Sequence, residues 1–226
     1  MSSKTYPSLS FEHDLWAKGP RFVIGIDEVG RGAIAGPVAV GVAVIDQKEI
    51  DAKGDWPKQL CDSKLISEKV RNEIIEPVQS WVRASSVGMV SAKEIDDFGI
   101  VSALASSAAT ALTELFSDQN LRQEIVTDGA VIILDGSHNW IGPKASGIEV
   151  VVRTKADRDC VSVAAASVIA KVKRDNLMIA LDLEVPGYGL AGHKGYASAN
   201  HIAALQKLGP SAIHRLSWLT KILAAG

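Results

Sequence analysis

The stretch RFVIGIDEVGRGAIAGPVAVGVAVI, residues 21–45, decides the fold. Its two ends, residues 21–27 and 37–45, are rich in β-branched apolar residues, which favour strands. Between them lies a glycine-rich turn, the kind of segment that joins neighbouring strands. The stretch therefore predicts a strand pair near the start of a sheet.

The segments that follow add further strands and helices. Residues 81–90, 130–134 and 148–152 are predicted strands, since each is a short apolar run. Helices are predicted over 63–80 with Asp62 as N-cap, over 92–116 with a break at Gly99, and over 160–181, 197–208 and 213–223. This order predicts an α/β fold with helical layers on the sheet. Because no repeat or long linker is present, we expect one domain over residues 1–226, with a lead-in at 1–20 and a basic helical C-terminal extension at 185–226.

Composition excludes several classes of protein. The chain has 226 residues, of which 47% are hydrophobic and 22% charged, so it is neither disordered nor fibrous. The formal net charge of −2 argues against a polyanionic ligand. However, the acids lie early and the bases late: no Asp or Glu follows Val185, while Lys194, Lys207 and Arg215 do. We therefore expect a basic face that the total charge conceals.

Location is predicted from what the chain contains. Cys61 and Cys160 lie far apart without the spacing of metal ligands, as expected in a reducing compartment. The N-terminus has no apolar signal core, and the longest nearly apolar stretch, residues 33–45, is too short and too broken to span a bilayer. We expect a cytoplasmic protein without a membrane role.

Carboxylates occur where predicted strands end. Asp27 and Glu28 follow VIGI, Asp135 follows VIIL, and Asp157 follows the strand at 148–152. If the strands are parallel neighbours, these acids meet at one edge of the sheet, where α/β proteins bind ligands. Clustered carboxylates without His or Cys favour Mg²⁺ or Mn²⁺. The alternative is that each acid forms a turn or caps a helix.

Two glycine patterns resemble nucleotide-binding turns. Gly30, Gly32 and Gly36 follow a strand, but Asp27 and Glu28 would repel a pyrophosphate unless metals intervene. A second pattern at residues 187–192 follows a helix and is interpreted as a chance match.

Basic residues supply the complementary charge. Ser167, Lys171 and Arg174 share one face of the long helix, where a solvated polar stripe is the alternative interpretation. The loop at 187–196 combines glycines with His193, Lys194 and Tyr196, as contact with nucleic acid requires; otherwise it is a surface turn.

Six motifs occur in a characteristic order: IDEVGRG (26–32), DSK (62–64), LDG (134–136), KADRDCVSVAAASVIAKVKRD (155–175), HKGY (193–196) and HRLSW (214–218). This series resembles the ribonuclease HII family, the type 2 ribonucleases H, from about residue 9 to about residue 218. The resemblance implies a ribonuclease H-like fold with a mixed five-stranded sheet flanked by helices. It also implies an endonuclease that cuts the RNA strand of RNA:DNA hybrids.

The resemblance also implies roles for individual residues. Asp27, Glu28, Asp135 and Asp157 match the catalytic carboxylates that hold two divalent ions. Gly30, Arg31 and Gly32 match the tripeptide whose backbone approaches the ribose 2′-hydroxyl, which glycines make sterically possible. Ser63 and Lys64 match a pair that contacts phosphate, and Tyr196 matches the tyrosine that packs on the deoxyribose next to the junction. Apart from the resemblance, contacts to the substrate are also expected from Ser167 and Lys171 on the face of the long helix. Asp159 is a competitor for the role of Asp157, but we expect it to cap the helix.

The implied chemistry is phosphodiester hydrolysis with two metal ions, Mg²⁺ or Mn²⁺, leaving a 3′-hydroxyl and a 5′-phosphate. The expected substrates are RNA:DNA hybrids and duplex DNA that contains ribonucleotides, cut on the 5′ side of a ribonucleotide followed by DNA. We expect a monomer. Two other functions stay open at this point: a ribonuclease H-like nuclease that acts on DNA, such as a resolvase or transposase, and a non-catalytic module that binds hybrids.

Overall fold

The central element is a single mixed sheet. The structure is a computed structural model that describes residues 6–223, so residues 1–5 of the lead-in and 224–226 of the extension lie outside it. The strand order is β3-β2-β1-β4-β5, with β1 antiparallel to β2, β2 antiparallel to β3, and β1, β4 and β5 parallel. The strands are β1 (Phe22–Val29), β2 (Val38–Asp46), β3 (Ala84–Val90), β4 (Ala130–Asp135) and β5 (Glu149–Arg153). The predicted mixed five-stranded sheet is confirmed.

Helices cover both faces of this sheet and continue into the C-terminal segment. The predicted break of the alanine-rich helix at Gly99 is confirmed, whereas the first, second, sixth, seventh and ninth helices were not predicted. The helices are α1 (Ser10–Trp16), α2 (Gln47–Lys53), α3 (Glu68–Trp81), α4 (Ala92–Phe98), α5 (Ile100–Leu115), α6 (Gln119–Asp128), α7 (Ala156–Asp159), α8 (Val161–Glu184), α9 (Leu190–His193), α10 (Ala199–Leu208) and α11 (Thr220–Leu223).

The two faces of the sheet contribute to two separate apolar cores. Val23 and Val131 pack in the core that contains the apolar side of α8, whereas Ile24 and Ile132 pack in the core that contains α5. Side chains alternate between faces along a strand, so a strand covered on both faces needs apolar residues at nearly every position. This explains the continuous apolar runs of β1, β2 and β4.

Glycines let α8 lie directly on the backbone of the sheet. A Cβ built on Gly41 would lie 2.3 Å from the carbonyl oxygen of Ala166, and one on Gly25 would lie 2.2 Å from the carbonyl carbon of Ser162. Any side chain at either position would push the helix away. The close approach fixes α8 over β1 and β2, next to the end of β1 where Asp27 lies.

The predicted helix over 63–80 is wrong at its start. Asp62 caps only a short 3-10 helix, Ser63–Leu65, by accepting a hydrogen bond from the amide of Lys64 at 2.9 Å. The α-helix begins at Glu68, and Ser67 is its N-cap. The break leaves Ser63 and Lys64 of the DSK motif in this short 3-10 turn, separate from the α-helix that follows.

The predicted helix over 213–223 is also wrong. This segment contains a 3-10 helix, Leu216–Trp218, followed by α11. Upstream of both, the amide of Arg215 donates to the carbonyl of Ile34 at 2.9 Å, and His214 forms a β-bridge with Ala35. These contacts with the turn after β1 replace the hydrogen bonds that a continuous helix would make.

No single helix in residues 6–223 has the length and apolarity needed to cross a membrane. Only α5 and α6 taken together pass on length and composition, and they are bent by 104° relative to one another.

Candidate active site

Parallel pairing of β1 and β4 brings two of the predicted carboxylates to the same edge. Ile26 lies opposite Leu134, so Asp27 and Asp135 follow at equivalent positions. Because side chains alternate, both carboxylates point to the face that carries α8, whereas Glu28 points to the other face. The predicted juxtaposition of Asp27, Glu28 and Asp135 is therefore present at the carboxyl end of the strands.

Asp157 comes from α7, immediately after β5. The amide of Ala156 donates to Oδ1 of Asp135 at 2.7 Å, which ties the start of α7 to the end of β4. Asp157 is buried. Burial raises its pKa, and repulsion from the nearby carboxylate of Asp135 raises it further. The fourth predicted carboxylate thus joins the other three. We call Asp27, Glu28, Asp135 and Asp157 the carboxylate cluster.

Burial destabilises the ionised forms of the carboxylates in this cluster. The pKa of Asp27, which is only 1% exposed, lies well above its ordinary value, chiefly because of burial and further because of Glu28 and Asp135. Burial is also the main reason why the pKa of Asp135 and that of Asp157 are raised. Ionised carboxylates in such a place need a positive partner.

Lys64 and Arg31 are the cations that approach the cluster. Lys64 Nζ lies 3.3 Å from Oδ2 of Asp157, and Arg31 Nη1 lies 3.2 Å from Oε1 of Glu28. Burial lowers the pKa of Lys64, but the attraction of Asp27 and Asp157 outweighs this effect, so the pKa lies above its ordinary value. The ammonium group of Lys64 thus supplies a positive charge among the carboxylates.

The donor set fits a hard divalent ion. Oδ2 of Asp27 and Oε2 of Glu28 are buried without a hydrogen-bond partner, which is unusual for carboxylate oxygens. Within residues 6–223, no three His, Cys, Asp or Glu side chains converge closely enough to enclose an ion as they stand. Oxygen-only donors with unpartnered atoms nevertheless match the preference of Mg²⁺ and Mn²⁺.

A cleft of about 550 Å³ lies beside the cluster. Its walls include Glu28 and most of the residues for which the sequence predicts a substrate contact: Gly30, Arg31, Gly32, Ser63, Lys64, Lys171 and Tyr196. A larger cavity of about 760 Å³ includes Ala130 and Glu149, at the opposite, amino ends of β4 and β5. The smaller cleft is the candidate site because it adjoins the carboxylates.

The loop that contains Ser63 and Lys64 is held from below. Ser63 Oγ lies 2.8 Å from Oγ of Ser167, which is buried under the cleft rather than in its wall. Arg71 Nη1 donates to the carbonyls of Ser63 at 2.8 Å and of Ile66 at 2.6 Å. Sequence reasoning missed Arg71, because no motif marks it and only the tertiary fold places it below the loop.

The GRG turn and Tyr196 form the other side of the cleft. Gly30 has φ +81°, and a Cβ there would lie 2.1 Å from Nε of Arg174, so only glycine fits. Gly32 has no such neighbour, because no other part of the described chain lies within 4 Å of where its Cβ would be. Tyr196 is 39% exposed, with the guanidinium of Arg174 5.7 Å from its ring centroid.

The predicted polar stripe on α8 divides into separate roles. Arg174 is fully buried and donates to the carbonyls of Pro37 and Lys194, each at 2.9 Å, so it is not available to a phosphate. Lys171 lies in the cleft wall and pairs with Asp175 at 2.7 Å. Asp159 does not cap α8 as expected but pairs with Arg153 at 2.9 Å.

The predicted basic face of the C-terminal extension is wrong for two of its residues, while Lys207 is exposed as expected. Arg215 is fully buried, and Lys194 is nearly so and pairs with Glu68 at 3.2 Å. Neither charge faces solvent as the sequence suggested. Arg215 lies in the HRLSW motif, which was the available signal for its importance, although the motif did not reveal its contacts.

Comparisons with known proteins identify the family of the chain. A sequence profile of the family described as Ribonuclease HII matches residues 24–221. Ribonuclease HII from Streptomyces avermitilis is 41% identical, covering 94% of this chain and 83% of its own. Among solved structures, ribonuclease H2 from Pyrococcus horikoshii has a TM-score of 0.69 and 27% identity, covering 90% of this chain and 98% of its own.

A third relative is similar in fold alone. It is Bst-RNase HIII in complex with Mn²⁺, with a TM-score of 0.67 and 21% identity, covering 97% of this chain and 73% of its own. The family profile and the curated relative together span most of the sequence, including the carboxylates and the GRG turn. The chain therefore belongs to the ribonuclease HII family and is a metal-dependent endoribonuclease that hydrolyses the RNA strand of RNA:DNA hybrids.

Proposed function

We propose that this protein cuts on the 5′ side of a ribonucleotide that is followed by DNA, including a single ribonucleotide embedded in duplex DNA. The observation that carries the proposal is the pair of unpartnered buried oxygens, Oδ2 of Asp27 and Oε2 of Glu28, next to a turn with exposed backbone. A cation site beside backbone donors suits a substrate that presents a phosphate and a 2′-hydroxyl on adjacent atoms.

Asp27, Glu28, Asp135 and Asp157 would hold two divalent ions, Mg²⁺ or Mn²⁺. Bound there, such ions would supply an activated water and stabilise the departing 3′-oxygen, leaving a 3′-hydroxyl and a 5′-phosphate. The relative Bst-RNase HIII in complex with Mn²⁺ supports this choice of ion through its fold. Lys64 would give up its contact with Asp157 and turn its ammonium group to the substrate phosphate.

Other residues of the cleft would orient the nucleic acid. Amides of Gly30, Arg31 and Gly32 would donate to the 2′-hydroxyl, while Ser63, Lys64 and Lys171 would face the phosphate backbone. The ring of Tyr196 would pack on the deoxyribose that follows the ribonucleotide. Ser167, buried under Ser63, would act through that hydroxyl. We further propose that the protein acts as a monomer in the cytoplasm.

Cleavage of defined duplexes tests the proposal. The protein is incubated with Mg²⁺ or Mn²⁺ and a labelled duplex that carries one ribonucleotide, beside the same duplex made only of DNA. We expect a single cut on the 5′ side of the ribonucleotide, with 3′-hydroxyl and 5′-phosphate ends, and none in the all-DNA duplex. Equal cutting of both would favour a DNA nuclease of the resolvase type instead. Binding without metal-dependent cleavage would favour a non-catalytic module.

A further inference from the structure

Two arginines are completely buried behind the GRG turn. Arg174 on α8 and Arg215 before the 3-10 helix each have no exposed surface, and we call them the arginine pair. Within residues 6–223, neither lies within ion-pair distance of a carboxylate. Burial lowers the pKa of Arg215 to about 10, with a further contribution from Arg174, so it stays charged at neutral pH.

Backbone carbonyls satisfy this buried charge. Arg215 Nη2 donates to the carbonyl of Gly30 at 2.7 Å, and Nη1 donates to that of Arg31 at 2.9 Å. Its Nε donates to the carbonyl of Gly36 at 3.2 Å. One guanidinium therefore binds both the start and the end of the turn, and its planar shape fixes the directions of these bonds.

The inward carbonyls determine where the amides point. In a trans peptide the C=O and N–H groups point in opposite directions. When Arg215 holds the carbonyl of Gly30 inward, the amide of Arg31 points outward; the carbonyl of Arg31 does the same for the amide of Gly32. In the described part of the chain, neither of these amides donates to a protein acceptor. Both residues are exposed and line the cleft.

Arg215 is itself held firmly. Its own amide donates to the carbonyl of Ile34 at 2.9 Å, and its guanidinium lies 4.9 Å from the ring centroid of Trp218. The amide of Gly36 donates to the carbonyl of Ile213 at 2.8 Å. The segment around Arg215 and the turn after β1 thus hold each other in one arrangement.

We propose that Arg215 is a positioning residue for recognition of the ribose 2′-hydroxyl, because its guanidinium aims the amides of Arg31 and Gly32 into the cleft. It sets the preference for ribonucleotides over deoxyribonucleotides without touching the substrate. The inference rests on the proposed function, which assigns these amides to the 2′-hydroxyl.

Two substitutions separate geometry from charge. Arg215→Lys keeps the positive charge but loses the planar fork, whereas Arg215→Gln loses the charge as well. Fluorescence anisotropy with metals removed by EDTA gives the Kd for a duplex with one ribonucleotide and for the matched all-DNA duplex. The ratio of the all-DNA Kd to the ribonucleotide Kd measures selectivity. We expect both variants to lower this ratio by about three- to tenfold, the range expected for a weakened hydrogen bond.

Arg71→Lys is the matched control. Arg71 is also a buried arginine that donates to two carbonyls below a substrate loop, but its loop carries Ser63 and Lys64 and faces phosphates. We expect this variant to weaken binding of both duplexes by the same factor, so that the ratio is unchanged. An equal loss of selectivity in Arg71→Lys would overturn a specific role for Arg215.

The remaining outcomes also decide the question. Full selectivity in Arg215→Lys would show that charge, not geometry, matters. If circular dichroism shows that neither Arg215 variant folds, the role of Arg215 is purely structural and the inference is overturned. If the wild-type protein binds both duplexes equally and, with Mg²⁺, cuts both equally, the proposed function fails instead. Preserved wild-type selectivity together with preserved variant selectivity would contradict only the role of Arg215.

Discussion

The carboxylate cluster and the arginine pair bury charge in opposite ways. Oδ2 of Asp27 and Oε2 of Glu28 have no hydrogen-bond partner. Of the nearby cations, Lys64 approaches the carboxylate of Asp157 and Arg31 approaches the other oxygen of Glu28. By contrast, Arg174 and Arg215 direct their N–H groups to main-chain carbonyls. A buried group that lacks a partner is suited to bind a ligand, whereas a satisfied one supports the framework. The difference separates two sides of the cleft. We call the side with the carboxylate cluster the reacting side, and the side with the GRG turn and the arginine pair behind it the recognising side.

Removing one carboxylate should have the largest effect. Asp27→Asn is expected to lower the cleavage rate by about a thousandfold, because a metal ligand that supplies several kcal/mol of transition-state stabilisation is lost. The same change should raise the melting temperature in EDTA, since it removes a carboxyl group whose ionised form burial disfavours and whose Oδ2 has no hydrogen-bond partner. Single-turnover cleavage and thermal unfolding measure the two effects.

Asp159→Asn provides the control for this variant. Asp159 is a neighbouring carboxylate whose side chain is 41% exposed and pairs with Arg153. We expect cleavage within about twofold of the wild type, as for a surface substitution. If Asp159→Asn abolished cleavage while Asp157→Asn did not, the assignment of Asp157 to the cluster would be wrong.

Removing one arginine should have the opposite effect on stability. Arg174→Met leaves the carbonyls of Pro37, Lys194 and Ala35 without their donor, and we expect the free energy of unfolding to fall by on the order of 3 kcal/mol. Urea denaturation of Arg174→Met and of Asp27→Asn, both in EDTA, measures the expected loss and the expected gain in stability under the same conditions. A gain in stability in Arg174→Met would show that the two regions do not differ as argued.

Two histidines, His201 and His214, extend the framework behind Tyr196. His201 Nδ1 lies 2.9 Å from the carbonyl of Tyr196, His201 Nε2 lies 3.1 Å from His214 Nε2, and the amide of Ser211 donates to His214 Nδ1 at 3.0 Å. The carbonyl requires a proton on Nδ1 of His201, and the amide requires a bare Nδ1 on His214. These bonds are therefore consistent with neutral rings, in which His214 donates to His201.

Acid should weaken this histidine region. Burial lowers the pKa of His201 to about 4, with contributions from His193 and His214. Between pH 6.5 and about 4, His201 is protonated in the unfolded chain but neutral in the folded protein. The free energy of unfolding therefore falls as the pH falls through this range. The loss is on the order of 2 to 3 kcal/mol and should be smaller in His201→Gln. Urea denaturation across this range is the measurement.

His138→Gln is the control, because His138 is exposed in the loop after β4. This variant should keep the wild-type dependence of stability on pH. If His201→Gln and the wild type lost the same stability on acidification, the neutral histidine arrangement would be refuted.

The smallest effect is expected for Lys64, the cation that lies beside the carboxylate cluster. On the proposed function, Lys64→Gln removes one phosphate contact and should reduce the slope of log Kd against log salt by about 0.9. The melting temperature in EDTA should also fall, because Lys64 is then the cation that faces Asp157. Anisotropy titrations at several salt concentrations measure the slope. An unchanged slope would place Lys64 outside the phosphate path.

Much of the reacting side of the cleft was predictable from local sequence. Asp27 and Asp135 end short apolar runs that are typical of buried strands, and parallel pairing of those strands brings the two carboxylates together. The recognising side was predicted less well. Arg174 was interpreted as part of a polar helix face, and Arg215 as part of a basic surface, because an arginine surrounded by polar residues has no local signal for burial. Arg71 carried no signal in any motif.

The sequence by itself determined the sheet, its helical layers, the carboxylates at the strand ends and the family motifs. These features depend on the alternation of apolar residues and on residues a few positions apart. Only the tertiary structure decided which charges are buried and what they bind. Arg215 reaches the carbonyls of Gly30 and Gly36 across separations of 185 and 179 residues, and Ser63 meets Ser167 across 104. No local pattern encodes such contacts, because each joins segments far apart in the chain that meet only when the whole domain has folded.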